Sequence, residues 1–127
     1  MAMRPPKGGI KNEMREKAMR EVILAQLGAL RADAGVEQVA CKDVSVGDYL
    51  VGKADALAVA MQLTKAKALI ETMSRFLRHE TTRNMNLAES ARLAGKDTMA
   101  RLREGAAAGY MAASRVVMEV REANKHE

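Results

Sequence analysis

Apolar residues recur along most of this chain at steps of three and four, the period of a helix with one buried face. Ile10, Met14, Ala18 and Val22 stand four apart, and Met19, Ile23, Leu27 and Leu30 form a second stripe beside them. The spacing predicts a first helix, charged at its start and most buried over residues 22–30, that stops at Gly35. Residues 36–47 break the pattern. Val36, Val39, Val44 and Val46 read as a short extended piece, and Ser45 with Asp48 reads as a capping box for a helix beginning near Val46.

Two seams follow. Ala56, Val59, Leu63, Ala66, Ile70, Met73 and Leu77 step by 3, 4, 3, 4, 3 and 4, which predicts a long second helix ending between His79 and Asn84. Asn86 with Glu89 predicts a short helix over residues 87–94 that stops at Gly95, after which Asp97 caps a last helix running to about Asn124. Met99, Leu102, Ala106, Gly109, Ala113, Val116 and Val120 repeat the same steps. Seams of matched length predict antiparallel packing within the chain, or pairing with copies in another chain. Gly105, Gly109 and Ala113 make the second seam narrow. Glycine inside a helix costs about 1 kcal/mol relative to alanine, and close approach of another backbone is what would offset it.

The predicted fold is therefore all-α. It is a compact bundle of three long helices plus one short helix, with heptad-like seams. A single helical domain over residues 10–124 follows a flexible basic arm at residues 1–9, where Pro5-Pro6 favours extended backbone and Gly8-Gly9 ends it. Residues 125–127 form a tail. Composition agrees: there is no Trp, one Phe and two Tyr, against ten Met in 127 residues. Sheets draw on aromatic and β-branched residues, whereas Ala, Leu, Met, Lys, Arg and Glu favour helices. Met61, Met73, Met85, Met99, Met111 and Met118 are read as gap-fillers in an Ala-rich core, and Phe76 as a core residue.

Charge adds a location. Residues 61–103 hold nine Lys/Arg and four acids, net +5, which equals the net charge of the whole chain. Arg75, Arg78, His79 and Arg83 follow one helical flank at spacings of three and four, and Arg92, Lys96, Arg101 and Arg103 continue the basic run. Such a face suits phosphate contacts or an acidic protein. No aromatic residue but Phe76 is interleaved, so base stacking is not expected. Within this run, residues 86–102 resemble a helix-turn-helix pattern, with Ala91 at the small-residue position and Gly95 in the turn. Lys96 follows Gly95 where an apolar anchor is usual, and Met99 and Leu102 arrive two residues early, which predicts a helical hairpin instead.

Catalytic chemistry finds little support. Cys41 is the only cysteine, and His79 and His126 are the only histidines. They supply neither a nucleophile with its base nor the three or four ligands of a zinc site. Val51-Gly52-Lys53 lacks the earlier glycine and the Ser/Thr of a phosphate-binding loop, and Gly105-Ala-Ala-Ala-Gly109 has no strand before it. Glu71 with Arg75, and Glu89 with Arg92 or Arg101, read as surface ion pairs. No enzyme activity, metal or cofactor is expected. A lone cysteine, no secretory leader and no run of roughly 18 apolar residues predict a cytoplasmic protein without a membrane span.

The function expected from the sequence is non-enzymatic: binding or assembly through protein–protein contacts, with self-association or another protein as partner. The helix-packing seam of Val59, Leu63, Ile70, Met73, Leu77, Gly105, Gly109, Ala113 and Val116 would serve it. The alternative is a nucleic-acid-binding protein that uses the basic face over residues 75–103.

Overall fold

A computed structural model of the chain describes residues 9–125. They form four helices, α1 (Gly9–Ala40), α2 (Val44–Lys65), α3 (Ile70–Leu93) and α4 (Asp97–Lys125), and among the described residues there is no strand. The all-α class stands. The arm expected at residues 1–9 lies outside the described residues except for Gly9, which opens α1, and of the tail only Lys125 is described, as the last residue of α4. No described helix is long and apolar enough to cross a membrane.

The helix boundaries correct the expectation of three long helices and one short one. α1 continues through Gly35 to Ala40, so residues 36–40 are helical rather than extended. α2 starts at Val44 behind Asp43, whose side chain accepts from Ser45 N at 2.9 Å and Ser45 Oγ at 2.6 Å. These bonds favour the carboxylate and lower the Asp43 pKa. The segment expected as one helix over residues 46–80 is two helices, broken at residues 66–69. Lys67 takes a left-handed backbone there (φ 60°), with Lys67 N bonded to Thr64 O and Ala68 N to Leu63 O, the pattern that ends a helix around one left-handed residue. Arg20 of α1 braces this end by donating to Lys67 O and Ala68 O. The expected short helix over residues 87–94 is the end of α3. Asn84 does not terminate the helix: it is buried within α3, and its amide donates to Glu80 O at 2.8 Å, four residues back. Gly95 (φ 74°) does make the next turn.

α4 packs against all three other helices, whereas α2 and α3 scarcely touch. α2 and α3 therefore straddle α4, and α1 lies antiparallel on α2, with Arg20 at Lys67 and Gly28 facing Met61. The pairing of α2 with α4 is parallel, not the antiparallel arrangement expected from the seams: Asp48 meets Arg101, Tyr49 and Lys53 meet Gly105, and Lys53 and Ala56 meet Gly109. The close approach expected at the glycines is present, with Gly52 completing it from α2. A Cβ on Gly109 would lie 2.8 Å from Ala56 Cβ, well inside contact distance.

The core joins Met19, Ile23 and Leu27 of α1 to Leu57 and Ala60 of α2, Met73 and Leu77 of α3, and Val117 and Val120 of α4. Of the two stripes on α1, the one through Met19 is buried, while Met14, Ala18 and Val22 are exposed. Ile70, Met73, Leu77, Gly105, Gly109, Ala113 and Val116 are buried within the chain and Leu63 packs partly against the core, so they are not open to another chain; Val59 is exposed.

Candidate functional site

Four of the eight predicted basic positions are paired with carboxylates. Arg75 pairs with Glu71 (2.9 Å), Arg83 with Glu80 (3.1 Å), Arg101 with Asp48 (3.2 Å) and Arg92 with Glu104. The expected Glu71–Arg75 pair is present, and the Arg75 guanidinium lowers the Glu71 pKa. Glu89 is not the partner of Arg92 or Arg101; each reaches a carboxylate on another helix or turn of the fold. Arg103 donates to Asn84 Oδ1 at 3.1 Å. Arg78, His79 and Lys96 have no carboxylate partner among the described residues. Much of the basic charge is thus matched inside the fold.

The turn at Gly95 makes a long antiparallel hairpin. α3 and α4 stay side by side from Arg92 and Glu104 to Phe76 and Tyr110, whose rings meet edge to face at 6.4 Å. In a helix-turn-helix the second helix leaves at roughly 90–120° to enter a groove of DNA, so the resemblance over residues 86–102 does not extend to that geometry.

Along one flank of this hairpin runs a groove formed by two cavities of about 710 and 720 Å³ that share Met111. One end is floored by small residues, Ala88, Ala107 and Ala108, with Glu89, Arg92 and Glu104 at its rim. The other end carries Met118 between Arg78, Arg115, Glu119 and Glu122. Met85, Met111 and Met118 are 54, 44 and 49% exposed. The core role expected for the methionines therefore holds for Met73, with Met61 packed partly against the core, but not for these three or for Met99. Phe76, also expected in the core, is partly exposed and rests on Tyr110.

Across the hairpin, on its opposite flank, a cleft of about 330 Å³ opens between α2, α3 and α4. Asp55, Glu80, Arg83, Asn84, Arg103 and Tyr110 line it. Only Arg83 and Arg103 were picked out by the charge pattern. Asp55, Glu80, Asn84 and Tyr110 lie on three helices and carry no signature at any one spacing; they meet only because α2 and α3 flank the same face of α4. Among the described residues no group of three His, Cys, Asp or Glu side chains is placed to hold a metal ion. No protein-family model, curated protein or solved structure matches this chain.

Proposed function

We propose that this chain is a small non-enzymatic assembly protein that associates with a second copy of itself through the α3/α4 groove. One observation supports the reading: exposed Met85, Met111 and Met118 line the groove, with Arg78, Arg92, Arg115, Glu89 and Glu104 around them. A two-fold axis through Met111 would set Met111 of the two copies against each other at the centre of the shared groove. Methionine is flexible and polarizable, so it packs against a partner without demanding one geometry, and a charged rim around an apolar centre is the usual anatomy of an interface.

Sedimentation equilibrium of the wild-type chain and of Met111→Arg tests the proposal. A dimer is expected for the wild type at low and at high salt. Met111→Arg sets two like charges face to face on the axis and yields a monomer, and its circular dichroism is unchanged because residue 111 is exposed. A wild-type chain that stays monomeric, or a variant that stays dimeric, overturns the reading. A chain that gains mass only with a DNA duplex at low salt overturns it in favour of phosphate contacts by Arg78, His79 and Lys96.

A further inference from the structure

The cleft between α2, α3 and α4 shares no residue with the groove and serves no purpose in self-association. Two of its donors are held in place yet left unfilled. Tyr110 is 8% exposed, its ring fixed against Phe76, and its hydroxyl makes no hydrogen bond among the described residues. The hydroxyl itself is open to the cleft. Arg103 spends one N–H on Asn84, which is 1% exposed and anchored in turn to Glu80 through its backbone carbonyl and Oε2. The remaining N–H groups of Arg103 make no bond among the described residues. A guanidinium backed by a buried amide is pre-organised to receive a carboxylate through two parallel bonds.

Acidic groups stand in the same cleft. Glu80 is paired with Arg83, and Asp55 has no cationic partner among the described residues. Burial first, and then Glu80 and Asp55, favour the neutral Tyr110 hydroxyl, and Arg83 and Arg103 oppose them. Positive and negative groups thus face one small space, walled by Ala56, Val59 and Met99. A simple tether between α3 and α4 would need neither the unfilled donors nor the solitary carboxylate. A lone anion would meet Asp55 and Glu80, and a lone cation would meet Arg83 and Arg103.

We infer that this cleft binds a small zwitterion of amino-acid size, its carboxylate received by Arg103 and Tyr110 and its ammonium by Asp55. The volume suits such a molecule, since small-ligand sites begin at roughly 300 Å³.

Nuclear magnetic resonance titration of the full chain tests this, with a panel of α- and ω-amino acids beside propionate and propylamine. At least one zwitterion is expected to shift the Arg103 side-chain and Tyr110 ring signals saturably, with both singly charged probes about tenfold weaker or more, the usual cost of losing one charge-assisted bond. Arg103→Lys keeps the charge but loses the fork, and Asp55→Asn removes the ammonium partner at an exposed position. Each is expected to weaken the zwitterion by a similar factor while the far-ultraviolet spectrum stays unchanged. No saturable shift with any amino acid overturns the inference. So does propionate binding as tightly as the zwitterion, or unaltered affinity in both variants. Met111→Arg, which tests the groove, leaves this titration unchanged.

Discussion

Gly105 of α4 lies directly against the backbone carbonyl of Tyr49 of α2: a Cβ there would stand 2.7 Å from the Tyr49 carbonyl carbon and 3.0 Å from Lys53 N. Both obstacles are helix backbone, which cannot turn aside as a side chain can. Gly105→Ala should therefore push two parallel helices apart. The helix-propensity gain of about 0.5–1 kcal/mol is smaller than the cost of overpacking, so a net loss of about 2 kcal/mol is expected in chemical denaturation. Gly35 supplies the contrast. It too is inside a helix, but nothing lies within 4 Å of a Cβ built on it, and Gly35→Ala should stabilise the chain by about 0.5–1 kcal/mol. Equal effects of the two substitutions would mean that the α2/α4 contact is looser than described.

Lys67 pays for the turn between α2 and α3. A residue with a Cβ in the left-handed region costs about 1–2 kcal/mol, whereas glycine adopts it freely but loses more backbone entropy on folding. The Lys67 side chain is exposed, and Arg20 binds only backbone carbonyls here, so replacement leaves the brace intact. Lys67→Gly should raise the stability by about 0.5–1 kcal/mol; a lower denaturation midpoint would show that the lysine side chain holds the turn.

That turn also explains where sequence reading failed. Ala66 and Ile70 keep the three-and-four step across residues 66–69, so the seam from Ala56 to Leu77 looks continuous although the backbone reverses within it. Gly95 was legible because glycine advertises a left-handed residue; Lys67 makes the same turn without that signal. Asn84 misled in the opposite sense, since its resemblance to a helix end hides a side chain that bonds back to Glu80 O. The close contact at Gly105 and Gly109 was legible because glycine inside a helix needs a reason, but its direction was not: spacing alone cannot distinguish a parallel neighbour from an antiparallel one. The cleft was the least legible feature, because Asp55, Glu80 and Tyr110 come together only through the placement of three helices about α4.

Asp48 and Arg101 join the starts of α2 and α4, with side chains 24 and 30% exposed. Partial burial limits screening, but the pair remains close to water. A double-mutant cycle with Asp48→Asn and Arg101→Gln should give a coupling of about 0.5–1 kcal/mol. It should shrink at high salt. A coupling of zero would leave the parallel α2/α4 contact resting on the glycine packing and the apolar core without the ion pair.

Tyr110 contributes to the loss of stability at alkaline pH. Burial, and after it the Glu80 carboxylate, raise its pKa above the ordinary tyrosine value of 10.0. The unfolded chain therefore releases the Tyr110 proton at lower pH than the folded one does. The stability linked to this group is complete below the unfolded pKa and is lost as pH rises through the folded pKa. In a Tyr49→Phe background Tyr110 is the only tyrosine, so tyrosinate absorbance reports it alone. Its titration midpoint should lie higher in the native chain than in denaturant, and the unfolding free energy should fall with rising pH only once pH passes about 10. Tyr110→Phe should remove that part of the fall while leaving the neutral-pH fold in place. A native midpoint at or below the denatured one would mean that the hydroxyl lies in water, and would withdraw one of the two donors assigned to the cleft.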